Sequence, residues 1–278
     1  MQDLRLAFIG GGNMARSLIG GLVQKGCDPT RISVADPRAE QRALLTSRFP
    51  VRATADNLEA SEGAGVIVFA VKPQVLRAAA EGLVGQVRTR HPLIVSIAAG
   101  ISEPDLKTWL GGDAAIVRAM PNTPALLGAG AAGLYANSSV TPAQRGIAQS
   151  LLEAVGMALW IEDESLMDAV TALSGSGPAY FFLLMELMEA AGLELGLPAD
   201  AVRRLTQQTA YGAARMALES GEAPATLRKQ VTSPGGTTAA ALAVFEAAGL
   251  KAVVERALTS ARDRGRQLSQ ESAKGNKP

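Results

Sequence analysis

A glycine turn near the start of the chain has the spacing needed to hold the phosphates of a dinucleotide. This N-terminal glycine turn, Gly10-Gly11-Gly12-Asn13-Met14-Ala15, follows an apolar run and opens a predicted helix. In its G-x-G-x-x-A pattern Gly10 permits a tight turn, Gly12 leaves room for a pyrophosphate, and Ala15 lets the helix pack closely on the strand. Open amides at the helix start would bind the phosphates. The alternative interpretation is a structural glycine turn that binds no ligand. The predicted cofactor-binding residues here are Gly10, Gly12, Asn13 and Met14.

Two charged residues after the second apolar run bear on the choice of cofactor. Asp36 stands at the strand end, where an acid usually bonds the ribose 2′-hydroxyl and favours NAD. Arg38, two residues later, could instead bind the 2′-phosphate of NADP. These signals conflict, and either charge could be a solvated loop residue. The prediction is NADP(H), with NAD(H) as the open alternative.

Two further turns follow apolar strands, at the sheet edge where a doubly wound fold binds its ligand. In Val68–Gln74 the backbone and Lys72 could contact cofactor ribose or phosphate. In Met120–Pro124 two prolines stop the strand, so that Asn122 could lie beside the nicotinamide or the substrate. A solvated lysine and a rigid turn without a ligand are the respective alternatives. The cofactor-binding residues predicted here are Ala70, Lys72, Pro73 and Asn122.

A C-terminal glycine turn, Thr232-Ser233-Pro234-Gly235-Gly236-Thr237-Thr238, has the composition of an anion-binding helix start. Ser233 is a good N-cap and Pro234 a good first helical residue. Glycine inside a helix costs up to about 1 kcal/mol relative to alanine, but the two glycines leave bare amides at the positive helix end. Such amides would form a compact carboxylate cradle, to which Thr237 and Thr238 add hydroxyl groups. A simple capped helix is the alternative.

Composition and charge exclude several other functions. The net charge is +1 and aromatic residues make up 4%, so the sequence indicates no nucleic-acid surface. The single histidine, His91, precedes a predicted strand on the face away from the ligand, and no histidine–cysteine cluster suggests a metal. The single cysteine, Cys27, indicates a reducing compartment, and no apolar run reaches the ~20 residues that span a bilayer. We expect a soluble cytoplasmic protein without metal, nucleic-acid or membrane partners.

Short apolar runs alternate with helical segments through the first half, and only helical segments follow. The apolar runs suit a parallel sheet covered on both faces. We therefore predict an α/β, Rossmann-type doubly wound domain over residues 1–163, an all-helical domain over 164–269 and a disordered tail over 270–278. The predicted strands are Leu4–Ile9, Ile32–Ala35, Val66–Val71, Leu93–Ile97 and Ala115–Ala119. The predicted helices include Met14–Lys25, Ala39–Arg48, Val75–Val87, Leu166–Leu195, Ala199–Ser220 and Leu250–Leu268.

These segments together resemble the pyrroline-5-carboxylate reductase family. The resemblance extends from residue 8 to beyond residue 240, with the motifs in the family's order. It implies a Rossmann domain, a helical substrate-binding domain that interlocks with that of a second subunit, and dimers often assembled into decamers. The implied reaction is hydride transfer from NAD(P)H to the C=N bond of 1-pyrroline-5-carboxylate, giving L-proline. The matching stretches are Phe8–Ala15, Phe69–Gln74, Ser96–Gly100, Arg118–Pro124, Ser174–Tyr180 and Leu227–Thr238.

The same resemblance implies roles for individual residues. Thr238 would be the catalytic group and hydrogen-bond the ring nitrogen. A cyclic imine can bring its own proton as an iminium ion, so a stronger acid is unnecessary. Asn57 would contact the cofactor ribose or its phosphate. The substrate carboxylate would be held by Ser233 and by the amides of Gly235, Gly236 and Thr237.

Two other functions fit the same fold. By resemblance, a β-hydroxyacid dehydrogenase should carry a catalytic lysine early in the helical domain, but no lysine occurs between Lys107 and Lys229. Alcohol oxidation needs a group that manages the hydroxyl proton, so this absence counts against it. A cofactor-binding sensor without chemistry would need no second anion site, and the C-terminal glycine turn therefore favours an enzyme.

Overall fold

The computed structural model describes residues 4–274, and the chain divides into two compact units. The N-terminal unit combines Met1–Ser176 with Ser260–Pro278, and the helical unit is Gly177–Thr259. The N-terminal unit contains the whole sheet, and the helical unit contains only helices and turns. The predicted fold class, a Rossmann-type domain followed by helices, is confirmed.

An eight-stranded sheet organises the described part of the N-terminal unit. Its strands are β1 (Leu6–Ile9), β2 (Ile32–Ala35), β3 (Arg52–Thr54), β4 (Val66–Phe69), β5 (Leu93–Ser96), β6 (Ala115–Met120), β7 (Gly130–Ala136) and β8 (Gly156–Trp160). The spatial order is β3-β2-β1-β4-β5-β6-β7-β8. The first six strands are parallel, and the order reverses direction at β1, between β2 and β4. Doubly wound sheets bind ligands at such a switch point.

The sequence predicts five of these strands and misses β3, β7 and β8. β3 has only three residues, and β7 consists largely of glycine and alanine, which are poor strand formers. The five predicted strands are parallel, as expected, but β7, which was not predicted, is antiparallel to β6, and β8 is parallel to β7. Pairing with an existing sheet stabilises such segments despite their composition.

Helices cover both faces of the sheet and form the helical unit. In the N-terminal unit they are α1 (Asn13–Gln24), α2 (Ala39–Thr46), α3 (Asn57–Ser61), α4 (Pro73–Glu81), α5 (Val84–Arg90), α6 (Glu103–Trp109), α7 (Pro142–Glu153) and α8 (Met167–Val170). The later helices are α9 (Gly177–Glu194), α10 (Ala199–Glu219), α11 (Pro224–Gln230), α12 (Thr237–Ala247) and α13 (Leu250–Lys274). Short 3₁₀ turns cover Pro29–Arg31, Thr123–Leu127 and Glu164–Leu166.

The predicted helix Leu166–Leu195 is interrupted. A π turn, Thr171–Gly175, separates α8 from α9, and the amide of Ser176 donates to the carbonyl of Thr171, five residues earlier, at 2.8 Å. A single π turn inserted in a helical segment is frequent at functional sites. Apolar periodicity does not reveal it, because one extra residue per turn barely changes the pattern.

Two other helix limits also differ from the sequence predictions. Val75–Val87 is divided between α4 and α5, which are separate helices. The last helix continues to Lys274, so residues 270–274 are helical and do not belong to a disordered tail. Residues 275–278 of the predicted tail lie outside the described residues.

Alternating side chains of the strands build one core on each face of the sheet. On one face Phe8 belongs to the same core as Leu18 of α1 and Leu151 of α7. On the other face Ile9 belongs to a core with Leu76 of α4. β1, β4 and β5 are buried along their whole length, which explains their continuous apolar runs. The cores thereby fix the strand ends from which the functional turns extend.

The helical unit buries far less of its apolar surface. Val202 of α10 is buried and packs against Gly192 of α9, but most large apolar residues of α9 are exposed. No single described helix has the length and composition to cross a membrane. One pair, Thr237–Ala247 with Leu250–Glu271, meets both criteria when its two members are taken together, but it is bent by 56°.

Candidate active site

The N-terminal glycine turn lies where predicted, between β1 and α1. Gly10 has a φ of +100°, and a Cβ there would stand 2.6 Å from the carbonyl oxygen of Ala70. Gly12 is the N-cap of α1, and a Cβ on it would meet nothing within 4 Å. Asn13 and Met14 lie in the first helical turn, where backbone amides precede the intrahelical ladder. The turn therefore offers an open, positively polarised helix end that fits a pyrophosphate.

Asp36 and Arg38 form a bonded pair at the end of β2. Asp36 Oδ2 accepts from the amide of Gly11 at 3.0 Å and from the Arg38 guanidinium at 3.1 Å. Its Oδ1 accepts from the Arg38 amide at 3.0 Å and from Arg38 Nε at 3.1 Å. Asp36 is 3% exposed, whereas the Arg38 side chain is 61% exposed. The acid is thus engaged inside the protein, and the guanidinium is the group presented to solvent.

Hydrogen bonding governs the ionisation of Asp36. Burial raises its pKa, but hydrogen bonds from Arg38 and Gly11 and the Arg38 charge outweigh burial, so the pKa lies below its ordinary value. The hydrogen bond to Asp36 raises the pKa of Arg38. Gly11 was not among the predicted site residues. The available signal was its position between Gly10 and Gly12, in a run of three glycines. A Cβ on Gly11 would stand 2.6 Å from Leu45 Cδ1.

Four more of the predicted cofactor residues, Asn57, Ala70, Lys72 and Pro73, lie after β3 and β4. The Ala70 amide donates to the carbonyl of Ile9 at 2.8 Å, which continues the β1–β4 pairing beside the N-terminal glycine turn. Lys72 is exposed and is the N-cap of α4, and Pro73 is the first residue of that helix, two residues before the predicted start at Val75. Asn57 is half-buried at the start of α3. Within residues 4–274, neither Asn57 nor Lys72 is hydrogen-bonded to the glycine turn.

Asn122 is buried, and both ends of its side-chain amide are bonded. Its Nδ2 donates to the carbonyl of Ser174 at 3.0 Å, and its Oδ1 accepts from the amide of Ala131 at 2.9 Å. One side chain therefore joins the end of β6, the start of β7 and the π turn. Gly175 of that turn approaches Met120 so closely that a Cβ would stand 2.7 Å from its Cε. Asn122 has a structural role, and its contact with the cofactor stays a prediction.

A partly buried ion pair beside β6 was not anticipated from the sequence. Arg118 pairs with Glu164 at 2.6 Å, and the amide of Glu103 donates to the same carboxylate oxygen at 2.5 Å. Burial raises the pKa of the neighbouring Asp168, while the charge of Arg118 opposes this shift. The pair ties β6 to the segment that leads into α8. An arginine within the apolar run Ile116–Ala119 was the available signal.

The C-terminal glycine turn, in the helical unit, differs from its prediction. α12 begins at Thr237 with Gly236 as N-cap, so Ser233 is not the cap and Pro234 is not helical. Instead the amide of Gly236 donates to the carbonyl of Ser233 at 3.1 Å, which closes a β-turn. Proline at its second position and Gly235, with φ +70°, at its third are typical of type II. A positive φ is incompatible with a helix, and this explains the later start.

Open amides nevertheless remain at this helix start. The first intrahelical bond of α12 runs from the amide of Ala240 to the carbonyl of Gly236 at 3.1 Å, so the amides of Thr237 and Thr238 precede the ladder. The Gly236 amide itself is bonded within the turn. A Cβ on Gly236 would stand 3.2 Å from the carbonyl oxygen of Ser233, so the position favours glycine. Ser233 is exposed and Thr238 is half-buried.

Residues that could support other chemistry lie apart from these turns. His91 is exposed and ends α5 with a φ of 47°. Cys27 is buried, and burial raises the pKa of its thiol. Across residues 4–274, no group of three histidine, cysteine, aspartate or glutamate side chains could hold a metal ion.

The helical unit exposes an apolar surface along α9. Most residues of this helix are apolar, and a helix so rich in apolar residues is normally largely buried. Large exposed apolar patches commonly mark surfaces at which proteins associate. The exposed large apolar residues of α9 are Tyr180, Phe181, Phe182, Leu183, Leu184, Leu187, Met188 and Leu193.

Both parts of the chain match known protein families. Residues 5–100 match a family described as NADP oxidoreductase, coenzyme F420-dependent. Residues 164–268 match a family described as pyrroline-5-carboxylate reductase dimerisation, so this region mediates oligomerisation. The chain is 52% identical over 271 residues to a pyrroline-5-carboxylate reductase of Pseudomonas aeruginosa, and the match covers 98% of this chain and 99% of the relative.

Solved structures give the same result. A pyrroline-5-carboxylate reductase from Coxiella burnetii superposes with a TM-score of 0.92 at 42% identity, covering 96% of this chain and 98% of that one. A pyrroline carboxylate reductase from Plasmodium falciparum, solved with NADP bound, superposes with a TM-score of 0.85 at 27% identity, covering 97% and 99%. The chain therefore belongs to the pyrroline-5-carboxylate reductase family, which consists of NAD(P)-dependent oxidoreductases of proline biosynthesis.

Proposed function

We propose that this chain uses NADPH to reduce the C=N bond of 1-pyrroline-5-carboxylate to L-proline. The observation that carries the proposal is the presence of two open helix starts, one in each unit, in a chain of this family. The start of α1 suits a pyrophosphate, and the start of α12 suits a carboxylate. A reductase of this substrate needs both kinds of site, whereas a simple cofactor-binding protein needs only the first.

Arg38 supports NADPH over NADH as the preferred cofactor. The carboxylate of Asp36, which could otherwise accept a bond from the ribose 2′-hydroxyl, is filled by donors from Gly11 and Arg38. The exposed guanidinium is a planar multiple donor that suits a phosphate. The structural relative from Plasmodium falciparum has NADP bound. We assign the 2′-phosphate to Arg38, and to Asp36 the role of holding Arg38 in position.

The rest of the cofactor would be held mainly by main-chain groups. The first turn of α1 provides amides for the pyrophosphate, next to the strand end at which Gly10 meets Ala70. The residues after β3 and β4 supply further groups for the ribose and phosphates. The assigned residues are Gly10, Gly12, Asn13, Met14, Asn57, Ala70, Lys72, Pro73 and Asn122.

The C-terminal glycine turn would hold the substrate. The amides of Gly235 and Thr237 and the hydroxyl of Ser233 would bind the carboxylate, supported by the positive end of the eleven-residue helix α12. The Gly236 amide closes the turn and so shapes the site. Thr238, in the first turn of α12, would hydrogen-bond the ring nitrogen, its hydroxyl donating to a neutral imine or accepting from an iminium N–H.

The proposed mechanism requires positioning more than acid–base chemistry. The bound nicotinamide supplies the hydride. The chain fixes the carboxylate at the turn and orients the ring nitrogen through Thr238, which leaves the imine carbon open to attack. An iminium substrate carries its own proton, and hydride addition converts it directly to the neutral amine. Fixed relative placement of two reactants can supply about 7–11 kcal/mol of the rate enhancement.

We infer a homodimer as the basic assembly, with a decamer as the larger form. The dimer is supported by the match to a dimerisation family and by the exposed apolar residues of α9, such as Phe181. The decamer rests on the family resemblance alone. The cytoplasmic location expected from the single cysteine, Cys27, likewise stays a prediction.

The first test is oxidation of NADPH, and separately of NADH, with and without 1-pyrroline-5-carboxylate. We expect substrate-dependent oxidation with proline as product and a higher kcat/KM for NADPH. Arg38→Ala should reduce this preference at least about tenfold by raising the KM for NADPH alone. Arg90→Ala, an exposed arginine at the end of α5, is the matched control. Equal use of both cofactors by the wild type would refute the assignment of Arg38.

A second test concerns the substrate turn. Thr238→Ala should lower kcat about 10- to 100-fold while the KM for NADPH is unchanged, since it removes a hydrogen bond to a charged nitrogen, which contributes about 1.5–3 kcal/mol. Thr238→Ser should restore much of the rate. Thr226→Ala, an exposed threonine on α11, is the control. A wild-type rate in Thr238→Ala would exclude Thr238 from the mechanism.

A further inference from the structure

Three arginines cluster at the amino ends of neighbouring strands. Arg5 and Arg31 directly precede β1 and β2, and Arg52 is the first residue of β3. These strands lie side by side in the sheet, and the three side chains line one cavity of about 460 Å³. We call this space the amino-end cavity. Like charges on adjacent strands repel each other, so the cluster lowers stability unless opposite charges compensate it.

Two of these arginines are paired with acids of the chain. Arg52 Nη2 lies 2.7 Å from Glu59 Oε1, and Arg31 Nε lies 3.8 Å from Asp28 Oδ2. The Arg5 side chain, in contrast, forms no hydrogen bond or ion pair with any residue between 4 and 274. Arg5 is also exposed. Its planar guanidinium is therefore available to bind a carboxylate from outside the chain.

Two further polar side chains of the amino-end cavity are without partners in the described part of the chain. Ser33 of β2 is half-buried, and its hydroxyl makes no hydrogen bond with residues 4–274, so it needs a partner from outside them. Glu62 follows α3 and is exposed, and its carboxylate forms no ion pair with those residues either. A Cβ on the next residue, Gly63, would stand 3.2 Å from Arg5 Nη1. A hydroxyl, an acid and a guanidinium therefore border the same space.

The amino-end cavity is separate from the N-terminal glycine turn. The four residues of β1 stand between Arg5 and Gly10. A strand of this length extends about 13 Å. Doubly wound sheets bind their cofactors at the carboxyl ends of the strands, which form the opposite edge. A ligand in the cavity therefore cannot take the place of the proposed cofactor at the turn.

We propose that the amino-end cavity binds a free α-amino acid, at a site distinct from those of the proposed reaction. Arg5 and the Ser33 hydroxyl would bind the carboxylate, and Glu62 would bind the ammonium group. A phosphate or another simple anion would be repelled by Glu62 and Asp28, which both line the cavity, and a simple cation would be repelled by the arginines. An amino acid carries both charges and satisfies both sets of groups.

Isothermal titration calorimetry of the full chain with each protein amino acid tests this assignment. At least one should bind, and its dissociation constant should rise at least about tenfold in both Arg5→Gln and Glu62→Gln, because each removes a charge-assisted hydrogen bond. Both positions are exposed, so the variants should fold normally. Arg90→Gln, at an exposed position at the end of α5, is the control and should leave binding unchanged. No binding by any amino acid, or binding unchanged in either variant, would overturn the proposal.

Two measurements on the wild type need no variant. The amino acid should bind at least about tenfold more tightly than inorganic phosphate or methylammonium, because each of these carries only one sign of charge. Phosphate that binds equally well would indicate a plain anion site and overturn the proposal. Bound amino acid should also slow hydrogen exchange in residues 62–66, where the amides of Gly65 and Val66 donate to the Arg5 carbonyl at 3.0 and 3.3 Å. Slowing confined to residues 233–238 would place the ligand at the C-terminal glycine turn and would equally overturn it.

Discussion

The N-terminal unit and the helical unit use their apolar residues in opposite ways. In the N-terminal unit Leu18 and Leu151 are completely buried, each on a helix that packs against the sheet. In the helical unit Phe181 and Phe182 of α9 are 65% and 62% exposed. One unit completes its core within the chain, while the other leaves large apolar residues exposed for association. The N-terminal glycine turn, proposed to bind the cofactor, lies in the first unit, and the C-terminal glycine turn, proposed to bind the substrate, lies in the second.

The largest expected effect tests the self-contained core of the N-terminal unit. Leu151→Ala should reduce the free energy of unfolding by about 2–5 kcal/mol, because it leaves a cavity in a fully packed core. Urea unfolding at two protein concentrations measures the change. The loss should be the same at both concentrations. A loss that disappears at high concentration would mean that this core also depends on assembly.

A comparable substitution in the helical unit should act through association instead. Phe181→Glu should cost about 2–4 kcal/mol of association free energy, because the exposed ring would be an apolar anchor in the subunit interface. Sedimentation should show dissociation, and the melting temperature should fall and become less dependent on concentration, because assembly no longer stabilises the folded chain. Leu127→Glu, at an 88% exposed position of the N-terminal unit, should change neither. Normal assembly of Phe181→Glu would contradict the comparison.

The polar interior of the N-terminal unit provides a smaller effect. Asp36→Asn should lower the free energy of unfolding by about 1.5–3 kcal/mol at pH 7, the usual contribution of hydrogen bonds to a charged group. The folded-state pKa of Asp36 is lowered, so its contribution is present above about pH 4, near the unfolded pKa, and is lost as pH falls through the folded pKa. Urea unfolding from pH 7 to pH 3 should show the two proteins converging at the acid end.

The smallest expected effect concerns an exposed contact of the N-terminal unit. The Arg145 guanidinium lies 4.3 Å from the ring centroid of Trp160 and 3.0 Å from Glu162. Arg145→Ala should therefore cost only about 0.5–1 kcal/mol of unfolding free energy. Thermal unfolding measures it, and Arg145→Lys should retain part of the contribution. A much larger loss would show that this surface is buried in the assembly.

The sequence was sufficient for those parts of the fold that are determined by continuous apolar runs. β1, β4 and β5 are buried on both faces, and their residues show this directly. β7 could not be predicted, because its glycines and alanines become a strand only through pairing with β6. The π turn before α9 was equally hidden, since it depends on a backbone bond from Ser176 to Thr171.

The same distinction applies to the candidate site. Both glycine turns were predictable, because glycine spacing reflects backbone requirements. The hydrogen bonding of Asp36 to Arg38 was not predictable. Two opposite charges in a loop can bind each other or a ligand, and the sequence does not distinguish these cases. Ser233 and Pro234 fit a capped helix and a type II turn equally well. The positive φ of Gly235 shows that the segment is a type II turn, and a backbone angle of this kind cannot be deduced from the side chains in the sequence.

The reliance of both proposed anion sites on main-chain amides has a consequence for how this enzyme can change during evolution. A substitution cannot delete an amide donor unless it introduces proline, so most exchanges near the turns leave the binding groups in place. A substitution can, however, change the backbone conformation that aims these amides. At Gly10 this conformation depends on glycine, because φ is positive and a Cβ would clash with the Ala70 carbonyl. Selection on substrate preference should therefore act on the side chains around the turns, while Gly10 itself tolerates almost no exchange.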